Sequence, residues 1–126
     1  MAVRGIRGAI TVDGNTDIFI KNATVELINK MIQENNIKLE DIVYTLFSTT
    51  KDLNAAYPAK FARLNCGFVN VPMMSTNEQE VTGSLTMTLR ILIVVNTIKS
   101  QKEMKHQYLK GARVLRPDIT YENRTI

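Results

Sequence analysis

Thr88-Leu89-Arg90-Ile91-Leu92-Ile93-Val94-Val95 decides how this chain is read. The stretch is short, rich in β-branched residues and free of Gly and Pro, which predicts a buried strand. Arg90 sits at the head of the apolar run. An unpaired guanidinium there would cost several kcal/mol, so it must face a carboxylate, a polar cavity or a bound anion. Glu78 comes close before it in the chain. The strand is expected to run from about Ser84 to Asn96. Its even face then carries Ser84, Thr86 and Thr88, followed by Leu92 and Val94, with Arg90 at the border between polar and apolar.

The N-terminal stretch repeats the pattern. In Val3-Arg4-Gly5-Ile6-Arg7-Gly8-Ala9, alternation places Arg7 on the face of Val3, Gly5 and Ala9. Those small neighbours leave a hollow beside the arginine. Each arginine taken alone also fits a snorkelling edge residue or half of a structural ion pair. Together, with Glu78 near one of them, they point to a site for a small acidic molecule.

Working outward, residues 2–12 form a first strand, and Gly14-Asn15-Thr16-Asp17 a turn and helix N-cap. Ile20, Leu27, Ile28, Met31 and Ile32 mark one helical stripe that Asn35-Asn36 ends. Residues 41–50 make a second strand. Pro58 fits the first position of a short helix to about Asn65, with Gly67 beyond its end and Lys60 and Arg63 on one face. Residues 68–74 are expected as a third strand broken by Pro72, then a polar segment from Ser75 to Glu80. Residues 101–116 are ambiguous between short helix and strand. Residues 117–126 read as a mobile tail that partly covers a bound ligand. The order predicts a single α+β domain over 1–126, a sheet with helices on one face. Its other face has to be buried, most simply against copies of itself.

The bulk properties narrow the function classes. Hydrophobic content of 44% and charged content of 22% are ordinary for a soluble globular protein. There is no apolar run of about 18 residues, and the start lacks a signal-peptide layout. The single cysteine, Cys66, fits a reducing cytoplasm. A net charge of +4 favours anionic partners, but the basic residues are spread along the chain and Trp is absent. That argues against a nucleic-acid surface. The closest thing to a basic patch, Lys99 to His106, reads as a solvated segment. Gly5-Ile6-Arg7-Gly8 matches the KH-domain loop only in letters, since that loop joins helices and this one lies in a strand. One His and one Cys make no zinc site, and Walker and dinucleotide fingerprints are missing. Cys66, just before Gly67, fits a small buried hydrophobe better than a nucleophile paired with His106.

What remains is a set of donors, Arg7, Lys60, Arg63, Arg90, Tyr108 and Arg116, with Glu78 as the plausible acid. Tyr108 and Arg116 alone would read as a core tyrosine and a surface charge. As a group they suit a reaction that needs orientation and charge stabilisation rather than a nucleophile or cofactor.

Val3-Arg-Gly-Ile-Arg-Gly-Ala9, Phe47-Ser48 with Asp52-Leu53-Asn54-Ala55, and Tyr57-Pro58-Ala59-Lys60 extend the pattern. So do Val71-Pro72 with Asn77-Glu78, Val81-Thr82-Gly83, Leu89-Arg90, and Tyr108-Leu109 leading to Val114-Leu115-Arg116-Pro117-Asp118. In these segments, spanning residues 3–118, the chain resembles the AroH-type chorismate mutases, the trimeric bacterial class. The resemblance implies a cytoplasmic homotrimer whose sheets pack into a pseudo-α/β-barrel, with active sites between subunits. It implies an isomerase of aromatic amino acid biosynthesis (the shikimate pathway) that converts chorismate to prephenate by a Claisen rearrangement, without metal or cofactor.

By the same resemblance Arg7 and Tyr108 hold the side-chain carboxylate of chorismate, and Arg90 reaches that carboxylate and the ether oxygen of the breaking bond. Glu78 accepts from the ring hydroxyl with Ser75 beside it, and Met73 and Met74 adjoin them in the substrate site. Leu115, Arg116 and Arg63 lie around the ring carboxylate at the mouth. Tyr57, Ala59, Lys60 and Arg63 come from the neighbouring subunit. Tyr57 stands where the family commonly has phenylalanine, and Ser75 where it has cysteine. Two other classes stay in view: a non-catalytic trimeric small-anion binder on the same fold, and an RNA-binding module built on the basic residues.

Overall fold

The computed structural model describes residues 1–119. Five strands, β1 (Ala2–Thr11), β2 (Ile42–Thr49), β3 (Met73–Asn77), β4 (Thr88–Thr97) and β5 (Gln107–Leu109), form one sheet in the order β3-β2-β4-β1-β5. β4 runs antiparallel to both β1 and β2, whereas β3 is parallel to β2 and β5 to β1. Two helices, α1 (Asp17–Asn35) and α2 (Pro58–Asn65), join them, with 3₁₀ turns at Leu39–Asp41, Gln101–Glu103 and Lys110–Leu115. This is the α+β arrangement that the sequence predicts, and its sheet is mixed.

Local chemistry explains the helix ends. The Thr16 hydroxyl accepts the Phe19 amide at 3.1 Å, and Asp17 places a carboxylate in the first turn of α1. Asn36 closes the helix in the left-handed region at φ 51°. Pro58 opens α2, where its missing N–H costs nothing.

Strand alternation sorts the side chains into two faces. Ile6, Ile10, Phe47, Leu89, Ile91, Ile93 and Val95 point towards the helices and, with Leu27, Ile28 and Met31 of α1, make the core. Gly8 lies under that helix. A Cβ built there would lie 2.5 Å from Met31 Sδ, so glycine is what lets α1 approach the strand. The opposite face carries Val3, Arg7, Ala9, Tyr44, Leu46, Ser48, Arg90, Leu92 and Val94. Val3 is 55% and Tyr44 39% exposed, so apolar side chains on this face stand open in the single chain.

Three expectations change. The third strand starts only after Pro72, and the polar residues Ser75–Asn77 belong to it. Pro72 has no N–H for a ladder, but its carbonyl accepts the Thr45 amide at 3.0 Å and leads β3 into register with β2. The long strand begins at Thr88, because Met87 adopts φ 50° and turns the chain. The ambiguous 101–116 segment is a 3₁₀ turn, the short strand β5 and a second 3₁₀ turn. The expected tail falls largely on residues 120–126, outside the described residues.

Candidate active site

One row of side chains crosses the open face. Thr76 of β3 pairs with Ser48 of β2, Ser48 with Arg90 of β4, Arg90 with Ala9 of β1, and Ala9 with Tyr108 of β5. Arg7 lies two residues before Ala9, opposite Leu92, and is therefore the diagonal neighbour of Arg90. The small Ala9 opposite Arg90 keeps space between the two guanidinium groups. A cleft of about 290 Å³ opens there, and Arg7, Ser48, Thr76, Glu78, Arg90 and Leu92 line it.

Glu78 follows the last residue of β3, and its amide donates to the Thr49 carbonyl at 2.7 Å. Its Oε1 accepts the Ser48 hydroxyl at 2.8 Å and stands 3.6 Å from Arg90 Nη1. The ion pair that the sequence suggests is present, but the distance is beyond hydrogen-bond length. Arg90 Nη1 is buried, and among the described residues nothing accepts its hydrogens. A buried, charged donor without an acceptor is costly unless a ligand oxygen completes it. Sequence reasoning passed over Ser48 as a site residue. The signal was its place on the outward face of a strand that is otherwise Tyr44 and Leu46.

At the far edge of the sheet Tyr108 is buried against Ala9, Ala112, Leu85, Leu115 and Ile119. The Arg116 guanidinium lies 5.9 Å from the centre of its ring and holds Asp118 with two bonds of 2.8 and 2.9 Å. Asp118 first, and then the Tyr108 hydroxyl, raise the Arg116 pKa above its ordinary value, while Arg116 lowers that of Asp118. Leu115 and Arg116 thus flank Tyr108.

The remaining candidates lie elsewhere. Tyr57, Lys60 and Ser75 line a groove of about 610 Å³ with Asn54, Ala55 and Thr76. Tyr57 is 74% exposed, and Lys60 Nζ lies 5.6 Å from the Phe61 ring centre. Arg63 is exposed in the last turn of α2, and Ala59 packs on the core. Ser75 pairs with Phe47, so it belongs to the helix-side face with Met73, whereas Met74 shares the open face with Leu46. Ser75 therefore stands with Tyr57 and Lys60 rather than beside Glu78. One chain presents an Arg7–Arg90–Glu78 cleft and a Tyr57–Lys60–Ser75 groove, with Thr76 lining both.

The sequence model of the family described as chorismate mutase type I matches residues 3–119. The chain is 42% identical over 125 residues to chorismate mutase AroH of Bacillus subtilis (strain 168), covering 99% of this chain and 98% of that one. It is 44% identical over 118 residues to chorismate mutase AroH of Thermus thermophilus, covering 93% and 96%. A solved structure, a chorismate mutase from Clostridium thermocellum, superposes with a TM-score of 0.84 at 44% identity, covering 87% of this chain and 97% of that one. With a match that spans nearly every described residue, this chain belongs to the type I chorismate mutase family.

Proposed function

We propose that this protein is a chorismate mutase, an isomerase of aromatic amino acid biosynthesis, that converts chorismate to prephenate in clefts between the subunits of a homotrimer. The observation that carries the reading is Arg90 Nη1, a buried cationic donor without an acceptor among the described residues, beside Glu78 in a cleft that Arg7 also lines.

The chemistry follows from these groups. As the C–O bond breaks, negative charge grows on the ether oxygen, and a fixed cation there favours the transition state over the substrate. One such donor is worth about 3–4 kcal/mol. Arg7, with Tyr108, takes the side-chain carboxylate. Both close contacts of Glu78 fall on Oε1, so Oε2 is the oxygen that accepts from the ring hydroxyl. Arg116 and Leu115 meet the ring carboxylate at the mouth with Arg63. Restriction to the compact reactive conformer contributes several kcal/mol more. The sum reaches the roughly 8 kcal/mol at the low end of enzymatic rate enhancement. No proton transfer is needed.

The trimer joins the cleft and the groove. Tyr57, Ala59, Lys60, Arg63 and Ser75 of one subunit close over Arg7, Arg90 and Glu78 of the next, with Met74 on the face between them. Support comes from the exposed Val3, Tyr44 and Met74 on the sheet face opposite α1 and α2. A cytoplasmic setting belongs to the same reading, and it suits Cys66, a free thiol whose pKa is pushed up by burial. The test is to follow chorismate loss with purified protein and identify the product. Prephenate formation is expected; ligand binding without rearrangement would move the function to small-anion binding.

A further inference from the structure

The edge of β1 before β5 begins is closed by side chains rather than by a strand. β5 pairs only with Gly8–Ile10, which leaves Gly5 and Arg7 without a neighbouring strand on that side. The Gln101 carboxamide substitutes for a peptide unit there, accepting the Gly5 amide at 2.8 Å and donating to the Gly5 carbonyl at 2.7 Å. Arg4 Nε donates to the Lys99 carbonyl at 3.0 Å. At the residue that matters most for the cleft, the Arg7 amide donates to His106 Nδ1 at 2.9 Å.

We infer that His106 is a positioning residue for Arg7, with its neutral imidazole acting as the ladder acceptor that sets where the Arg7 guanidinium enters the cleft. The inference rests on the reading of Arg7 as a ligand for the substrate carboxylate. For Nδ1 to accept, the ring proton must sit on Nε2. An imidazolium would present N–H against N–H and release the strand.

The surroundings hold the ring neutral. Arg7 of β1 and Arg116 of the C-terminal 3₁₀ stretch face it, and Lys99, Lys102, Glu103 and Lys105 line the groove it shares. Burial first, then Arg116 and Arg7, keep its pKa below the ordinary imidazole value. The basic segment from Lys99 to His106 is thus more than a solvated surface, since it secures the strand that carries Arg7.

The test compares wild type, His106→Leu and His106→Asn in turnover of chorismate. Loss of the acceptor loosens a group that binds substrate and transition state alike, so His106→Leu is expected to raise KM about tenfold with kcat little changed. His106→Asn, with Oδ1 in the place of Nδ1, is expected to restore KM to within about twofold of wild type. Wild-type KM should rise only as pH falls through the lowered His106 pKa, on the acid side of the ordinary imidazole value of about 6.5, and the Asn variant should lack that rise. A His106→Leu enzyme with wild-type KM, or an Asn variant as impaired as the Leu variant, overturns the inference. Should His106→Leu not fold, identical pH profiles for wild type and His106→Asn overturn it equally. A wild type that turns over no chorismate is a different failure; it removes the functional reading and this inference with it.

Discussion

Ser48 donates its hydroxyl to Glu78 Oε1 at 2.8 Å from the strand position that pairs directly with Arg90. One hydroxyl thereby holds the carboxylate beside the buried guanidinium and leaves Oε2 outside both contacts. Ser48→Ala removes the bond and leaves Glu78 free to rotate. A neutral hydrogen bond is worth about 1 kcal/mol net, so kcat/KM is expected to fall about five- to tenfold. The fold should persist, since Ser48 lies outside the helix-side core. Steady-state kinetics with a circular-dichroism melt check both halves; unchanged kcat/KM would remove Ser48 from the site.

Gly8 is a packing requirement, which is why it must be tested by stability and not by activity. Its missing Cβ is the space that Met31 Sδ occupies, with Leu27 Cδ1 3.1 Å from the same point. Gly8→Ala forces α1 away from β1, and overpacking of this kind costs about 1–3 kcal/mol. The Tm should fall by several degrees, on the order of 4–8 °C per kcal/mol for a small domain. A variant as stable as wild type would mean that Met31 moves aside at no cost.

The open sheet face predicts the assembly. A trimer should sediment at three times the 14.2 kDa chain mass. Tyr44→Glu places a charge on that face at a side chain already 39% exposed in the single chain, so the subunit still folds. Burying that charge between subunits without a partner would cost several kcal/mol. Analytical ultracentrifugation should show dissociation, and activity should fall with it because each cleft loses the groove of its neighbour. Dissociated subunits with full activity would show that one chain holds the whole site.

Much of this was legible because it follows from strong local patterns. The β4 run and the β1 alternation locate Arg90 and Arg7 on one face, and Thr16, Asn36 and Pro58 mark helix ends through their own chemistry. β3 was misplaced because it is an exposed edge strand of Met73-Met74-Ser75-Thr76-Asn77, whose pairing comes from β2 rather than from any apolar alternation. The turn at Met87 left no trace either, since its positive φ is held by contacts far away in sequence, including its amide on Asp52 Oδ2 at 3.0 Å. The resemblance sets Ser75 beside Glu78, whereas the strand register pairs it with Phe47 on the helix-side face, because alternate residues of a strand point to opposite faces. Family resemblance named residues of both the cleft and the groove, but only the sheet register shows which of them share a face in one chain.

The central claim is that the Arg90 guanidinium stabilises the transition state, and the most direct measurement is kcat for chorismate with wild type and Arg90→Gln. Wild type should form prephenate. The neutral variant should keep its fold and assembly, still bind through Arg7, and lose kcat by about 10²–10³-fold or more. An Arg90→Gln enzyme with kcat within about tenfold of wild type would contradict the account.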